Sequence, residues 1–220
     1  MCFSASASFV AGTSLLAVGV VTVRKAQHKE ELPFAAIPLL FGVQQLIEGV
    51  IWLTFRFDSP VLNPAMTLLY SLFSHVLWPI YVPLAVLLLE SVRWRRKALA
   101  AFLAAGLGTG LYLLVSMFLF PIMSRATGGH IEYDSPHFFI AAVIAGYLAA
   151  TCISMLFSSH KTVKLFGIAA LLSFATSYAV YTQWFFSIWC FFAAILSGIV
   201  FLHFTARLSS STEAARGMAP

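Results

Sequence analysis

Seven long apolar stretches divide the chain, each close to the length that an α-helix needs to cross a bilayer. A window of about 20 predominantly apolar residues marks such a helix, because the hydrocarbon core is about 30 Å thick. These windows predict spans at 6–23, 34–55, 65–89, 98–120, 137–157, 162–181 and 185–204. A single helix over 162–204 would be about 65 Å long, so a break is predicted near 181–184. The pattern predicts an all-α integral membrane protein, a seven-transmembrane-helix bundle, with one domain at 1–207 and a disordered cytoplasmic tail at 208–220.

The second apolar stretch carries polar side chains in the middle of its length. Helical spacing places them on one stripe, which consists of Gln44, Gln45, Glu48 and Trp52. A carboxylate at that depth costs roughly 2.5–3.5 kcal/mol on insertion scales, so it needs a partner or a wet cavity. We therefore expect the other helices to supply the partners of Glu48.

The third stretch supplies the best candidate for such a partner. Its polar stripe consists of Ser71, Ser74, His75 and Trp78. Pro79 and Pro83 follow, and proline inside a helix predicts a kink. At 1.5 Å per residue, Glu48 and His75 both lie about 3–5 Å to the outer side of their span midpoints. The two ionisable groups are therefore predicted to share one depth.

Composition and charge support the membrane assignment. Hydrophobic residues make up 60% of the chain, charged residues 10%, and the mean hydropathy is +0.91. A soluble domain carries about 25% charged residues. Eleven of the 13 Lys and Arg residues flank the spans on one side, which by the positive-inside rule places the N-terminus outside and the C-terminus in the cytoplasm. The net charge of +5 then reflects topology and the lipid bilayer, and no nucleic-acid partner is expected.

Glu48 and His75 are the candidate catalytic pair, and their chemistry leaves several functions open. They could bind a divalent metal such as zinc, with Cys190 or Cys2 as further ligands. They could act as a general acid/base pair, or form a buried pair that fixes helix register. Cys190 could instead pack as a small hydrophobe. The candidate ligand-binding residues are Gln44, Gln45, Trp52, Ser71 and Tyr181.

The outer loop at 121–136 offers a second, weaker metal-site candidate. It contains His130, Glu132 and Asp134, with His137 just beyond. The alternative is a solvated loop in which Ser135 and Pro136 form the N-cap and first position of the fifth span. Among other seven-helix proteins, a retinal protein needs a lysine in the last span, and 185–204 has none.

Small residues indicate how the helices pack. Gly106 and Gly110 are four residues apart in the fourth span. This spacing lets two backbones approach closely where lipid provides no hydrophobic driving force. We therefore predict that Gly106 and Gly110 contact another helix.

Three segments together resemble an uncharacterised family of bacterial multi-span membrane proteins. They are Met1-Cys2-Phe3-Ser4-Ala5, Gln44-Gln45-x-x-Glu48-Gly49-x-x-Trp52, and Trp189-Cys190-Phe191-Phe192-Ala193-Ala194. The resemblance implies a multi-pass protein of the bacterial cytoplasmic (inner) membrane. It implies no activity.

Two functions follow from these patterns as hypotheses. The first is a polar site in the outer half of the bundle that performs metal-dependent or acid/base hydrolysis of a lipid or small amphiphile. The alternative is a non-enzymatic protein that binds or senses a small ligand or a metal. A purely structural role would need no site.

Overall fold

Long apolar helices make up most of the chain. The computed structural model describes residues 4–136, 138–180 and 184–206. The helices are α1 (Ala5–Lys25), α2 (Leu32–Ala35), α3 (Ile37–Arg56), α4 (Leu62–Ser71), α5 (Trp78–Leu89), α6 (Arg93–Leu119), α7 (Ile140–Leu148), α8 (Ser154–Leu156), α9 (Lys161–Val180) and α10 (Phe185–Leu196). Helical backbone continues over 198–206.

Six helical segments are long and apolar enough to cross a membrane. They are Ala5–Lys25, Lys29–Arg56, Leu62–Leu89, Arg93–Leu119, Lys161–Val180 and Ser187–Ala206. Each corresponds to one predicted span. The predicted span at 137–157 corresponds to a shorter apolar helix, Ile140–Leu156. The multi-span helical architecture is therefore confirmed, while the count of seven stays a prediction. The tail at 208–220 and most of the break at 181–184 lie outside the described residues.

The first two spans pack against each other at very short range. A Cβ added to Gly42 of α3 would lie 2.9 Å from the backbone nitrogen of Leu16 in α1. One added to Gly12 of α1 would lie 3.0 Å from the carbonyl oxygen of Gly42. Helices this close gain dispersion contacts that lipid cannot supply. The contact also seals one side of α3 against lipid.

The third span widens in its middle. A π-helical segment, Leu72–Leu77, separates α4 from α5 and contains His75. Pro79 explains its position, because a proline has no N–H for the carbonyl four residues earlier, here that of His75. A wider turn relieves the clash between the proline ring and that carbonyl. A second π-helical segment, Ala149–Ile153, joins α7 to α8 without a proline.

Gly106 confirms the predicted close approach in the fourth span. A Cβ at this position would overlap the carbonyl oxygen of Pro79, and its next neighbour would be Ala150, at 3.1 Å. A Cβ at Gly110 would lie 3.1 Å from Ile80. Gly108, between them, faces no atom within 4 Å in the part of the chain that the structure describes. Of these three glycines, Gly106 and Gly110 therefore contact other helices, and Gly108 does not.

The loop at 121–136 contains a short β-structure that the sequence analysis did not predict in this otherwise helical protein. It folds into an antiparallel hairpin of β1 (Met123–Thr127) and β2 (His130–Asp134), in which Thr127 pairs with His130. Gly128 and Gly129 form the two-residue turn with φ values of 60° and 77°, which glycine adopts without strain. The hairpin is not a solvated loop, because Ile131 and Tyr133 are buried.

The predicted start of the fifth span is also wrong. Ser135 and Pro136 precede α7 as irregular backbone and do not cap it. The helix begins at Ile140, after Phe139 with a left-handed φ of 57°. The strand β2 runs to Asp134, so the residues that follow serve as a connection from strand to helix.

Candidate functional site

The polar stripe of α3 lies inside the bundle and does not face lipid. Gln44, Gln45 and Glu48 all have 0% of their surface exposed. Helical spacing places Gln44 and Glu48 on the same side of α3, one turn apart. Gln45 lies between that side and the side formed by Gly42 and Gly49, which contacts α1. Packing of α1 on α3 thus helps to enclose Gln45, while the third span and α10 contact Gln44 and Glu48.

Gln44 joins the polar stripes of the second and third spans. The indole Nε1 of Trp78 donates a hydrogen bond to Gln44 Oε1 at 2.7 Å. The ring of Trp78 stacks on Phe41 with centroids 3.9 Å apart. Of the predicted residues, the structure therefore brings Gln44 into direct contact with the stripe that contains His75.

Glu48 contacts a residue that sequence reasoning missed. Ser187, fully buried on α10, donates its hydroxyl to Glu48 Oε1 at 2.8 Å. Cys190 lies three residues further along α10, on the same face. Its thiol lies close to Tyr70, Gln44 and Glu48. The helical spacing of Ser187 from Cys190 is the signal that could have found it.

His75 is held in place by the π-helical segment around it. The hydroxyl of Ser74 contacts His75 Nδ1 at 2.8 Å. Tyr147 donates its hydroxyl to the carbonyl oxygen of Ser74. This bond ties the first π-helical segment to α7, just before the second one begins. His75 is 2% exposed, so its ring is as enclosed as the carboxylate of Glu48.

Several buried polar atoms of the first three spans have no hydrogen-bond partner among residues 4–136, 138–180 and 184–206. They are both amide atoms of Gln45, Nε2 of Gln44, Oγ of Ser71, Nε1 of Trp52 and Oγ of Ser8. Most buried polar groups in folded proteins are paired. We name this group, together with Glu48, His75, Ser187 and Cys190, the polar cluster. It is chemically unusual because its amide and hydroxyl groups still have donors and acceptors to offer.

Ser8 is the second member of the polar cluster that the sequence analysis missed. A Cβ on Gly49 would lie 2.9 Å from the ring of Phe9, and one on Gly12 would lie 2.8 Å from Leu46. These contacts place Ser8, on α1, at the level of Gln45 and Gly49 on α3. Its side chain is 0% exposed. The polar cluster therefore draws on four of the long helical segments.

The predicted metal ligands do not form a metal centre within the part of the chain that the structure describes. No three His, Cys, Asp or Glu side chains there are placed to hold an ion together. This covers Glu48, His75 and Cys190, and the loop residues His130, Glu132 and Asp134. Cys2, Tyr181 and His137 lie outside the described residues, so their predicted roles stay predictions.

The hairpin packs on the bundle beside Cys190, with which Ile131 and Tyr133 form one hydrophobic cluster. Tyr133 of β2 stacks on Tyr70, with ring centroids 4.5 Å apart and planes within 4°. Ser124 of β1 contacts the hydroxyl of Thr67 at 2.7 Å. His130 stacks on Trp184 at 4.6 Å, and burial lowers the pKa of its imidazole. His130 therefore serves as a packing residue at the start of β2.

Comparison with known proteins identifies the family and no activity. A family model described as a family of unknown function (DUF6629) matches residues 1–216. No curated protein and no solved structure matches the chain. The match extends over all the helices and the hairpin, and it agrees with the resemblance to an uncharacterised family. The chain belongs to the DUF6629 family.

Proposed function

We propose that this protein binds a small polar ligand in the polar cluster, as a non-enzymatic binding or sensing protein of the bacterial cytoplasmic membrane. The proposal includes seven membrane spans, an outer N-terminus and a cytoplasmic C-terminus. The polar cluster then lies in the outer half of the bundle, beneath the hairpin. The six long apolar helical segments support the membrane location.

One observation carries the proposal. Gln45 is completely buried, yet neither its amide nitrogen nor its amide oxygen has a partner in the described chain. A buried polar group without a partner costs about 1–3 kcal/mol. A ligand that accepts from one atom and donates to the other would recover that free energy on binding. The same ligand could reach Nε2 of Gln44 and the hydroxyl of Ser71.

The substitution Gln45→Leu tests the proposal directly. It keeps a side chain of similar size and removes both amide atoms. We expect the wild-type protein to release a bound small molecule on denaturation, as detected by mass spectrometry, and the variant to release none. The matched control is Gln27→Leu, at an exposed position near the end of α1. Equal amounts of the molecule in wild type and Gln45→Leu, or none in either, would reject the polar cluster as its site.

The orientation needs its own measurement. Reporter fusions after Arg96 and after Arg207 should both give cytoplasmic signals, because Lys and Arg are concentrated on that side. A fusion within 124–132 should give a periplasmic signal. Opposite signals at both ends would reverse the bundle and place the polar cluster in the inner half.

A second candidate function is hydrolysis of a lipid or small amphiphile, and one feature favours it. Each of the two ionisable groups contacts a serine hydroxyl, Glu48 that of Ser187 and His75 that of Ser74. A carboxylate or imidazole in contact with a hydroxyl is the starting arrangement for acid/base or nucleophilic chemistry. A zinc-dependent version would need ligands beyond Glu48, His75 and Cys190, which do not form a metal site in the described part of the chain.

Metal analysis and turnover assays separate the two functions. Hydrolysis by the metal route requires stoichiometric metal in the purified protein and its loss in Glu48→Gln. Hydrolysis without metal requires turnover of a lipid or ester panel that Glu48→Gln abolishes. If the protein retains a ligand but contains no metal and shows no turnover, only the binding function is supported.

A further inference from the structure

A small apolar cavity adjoins the polar cluster. Its volume is about 40 Å³, and its walls include Phe41, Trp78, Cys152, Trp189 and Cys190. Nearly all of its lining atoms are apolar. A cavity of this kind stays dry and accepts apolar groups. It therefore complements the polar cluster chemically.

Two residues border both the cavity and the polar cluster. Trp78 lines the cavity with its ring and donates its Nε1–H to Gln44. Cys190 lines the cavity and lies close to Gln44 and Tyr70. A molecule in contact with Gln44 or Glu48 can thus extend past these two side chains into the apolar space.

The two π-helical segments flank this same region. Trp78 directly follows the first segment, while Thr151 and Cys152 belong to the second and line the cavity. The bond from Tyr147 to the carbonyl of Ser74 connects them. Isolated π-helical turns are rare and frequently occur at functional sites. Their convergence here is a second reason, independent of the cavity, to place a ligand at this point.

We propose that the ligand is a small amphiphile whose hydrogen-bonding head lies at Gln44, Gln45 and Glu48 and whose short apolar end fills the cavity. This inference rests on the proposed function. An apolar cavity of about 150 Å³ accommodates benzene, and this one has about a quarter of that volume. It accommodates an apolar end of about one to three carbon atoms. Long-chain lipids do not fit it.

The head group must both donate and accept hydrogen bonds. Gln45 presents an unpartnered amide nitrogen and an unpartnered amide oxygen, and Gln44 adds a second nitrogen. A neutral primary amide carries the complementary donor and acceptor side by side. Primary amides of increasing chain length are therefore suitable probes of both the head and the apolar end.

The test measures thermal stabilisation of the detergent-solubilised protein by acetamide, propionamide, butyramide and hexanamide. At a fixed concentration, a ligand that binds only the folded state raises the melting temperature more the more tightly it binds. We expect the shift to peak at propionamide or butyramide and to fall by at least half at hexanamide. Ala193 lines the cavity, so Ala193→Leu reduces the cavity volume and should move the peak to acetamide or abolish it. Ala101→Leu, the same change at an exposed position of α6, should leave the series unchanged.

The variants separate failure of this inference from failure of the proposed function. In one outcome, stabilisation disappears in Gln45→Leu but does not depend on chain length or on Ala193→Leu. This outcome supports the polar-ligand site and overturns the apolar end of the ligand. Shifts that grow through hexanamide in every variant show non-specific partitioning and overturn the inference. No shift with any amide also overturns it. If Ala193→Leu does not fold, Ala193→Val replaces it with the same expected direction.

Discussion

Two buried glutamates stand in opposite surroundings. Glu48 lies in the middle of α3, and Glu90 lies between α5 and α6 at the end of the bundle that carries Arg93, Arg95 and Arg96. Both side chains are almost completely buried. Near Glu48, amide and hydroxyl groups lack partners within the described chain. Around Glu90, the backbone of two connections supplies donors to the carboxylate.

Glu90 closes two loops at once. Its Oε1 accepts from the backbone nitrogens of Ser91 at 3.0 Å and Val92 at 2.9 Å. Its Oε2 accepts from the backbone nitrogen of Ser159, in the connection before α9. Arg96 donates to the carbonyl oxygen of Glu90 itself at 2.9 Å. The carboxylate therefore joins the start of α6 to the connection between α8 and α9.

The difference agrees with the proposal that Glu90 is a structural carboxylate and that Glu48 belongs to a ligand site. A carboxylate that accepts from three backbone N–H groups stabilises the fold and has little capacity left for a ligand. In the polar cluster, the amide of Gln45 is buried without compensating hydrogen bonds within the described chain, which costs free energy. Proteins keep such arrangements mainly where a ligand or a reaction uses them. Four substitutions or conditions can break or sharpen this contrast.

Gly106→Leu should have the largest effect, because it breaks the scaffold common to both regions. Pro79, whose carbonyl a Cβ at Gly106 would overlap, lies between His75 and Glu90 on the third span. Backbone cannot rotate away as a side chain can, so we expect a loss of about 3 kcal/mol or more, or failure to fold. Gly108→Leu is the matched control, since no described atom lies within 4 Å of its added Cβ. Equal melting temperatures for the two variants would contradict the close approach.

Glu90→Ala should come next. It leaves three backbone N–H donors without their acceptor, which we expect to cost about 3 kcal/mol of unfolding free energy. Glu30→Ala, at an exposed position on the same end, should change stability by less than about 0.5 kcal/mol. Thermal unfolding in detergent measures both. A loss at Glu90 no larger than at Glu30 would mean that the carboxylate is not structural.

A double-mutant cycle of Glu48→Gln and His75→Ala should show a smaller, coupled effect. If Glu48 is neutral, Gln replaces it at little cost. If a charged Glu48 faces His75 or a metal ion, Glu48→Gln leaves the positive charge of that partner buried and unpaired. We predict the second case, with a coupling of about 1–2 kcal/mol, so that the double variant loses less than the two singles together. Thermal stability and metal content of all four proteins provide the measurement. Additive losses without metal would mean that Glu48 and His75 do not meet.

Hydropathy and helical period predicted much of this architecture. The apolar windows located the long helices, and the 3.6-residue period placed Gln44 and Glu48 on one buried face of α3. Pro79 correctly marked an irregularity in the third span, although not its π-helical form. The spacing of Gly106 and Gly110 correctly indicated a close helix contact.

The serines and the hairpin were beyond the sequence patterns that we used. Many hydroxyl residues in these helices donate to the carbonyl of the preceding turn, as Ser116 does to Tyr112 and Ser154 to Ala150. Ser187 instead reaches Glu48 on another helix, and only its three-residue spacing from Cys190 distinguishes it in the sequence. The Gly128-Gly129 pair was a hairpin signal, but its two strands are short and their polar residues favoured a loop. The second π-helical segment has no proline to mark it.

Acidification should give the smallest effect, and it acts on Glu90. Burial raises the pKa of this carboxyl. The hydrogen bonds from the backbone N–H groups of Val92, Ser159 and Ser91 together lower the pKa by more than burial raises it, so the net pKa is below 4.5. Because the folded pKa is depressed, the carboxylate contributes stability that is fully present above the ordinary pKa and is lost as pH falls through the folded value. The wild-type melting temperature should therefore decline as pH drops below about 4.5.

Glu90→Gln, which cannot ionise, should start from a lower melting temperature at pH 7 and lose less on acidification. The two curves should converge at the acid end. Parallel curves would show that the charge on Glu90 does not stabilise the fold, and the contrast with Glu48 would then rest on hydrogen-bond geometry alone.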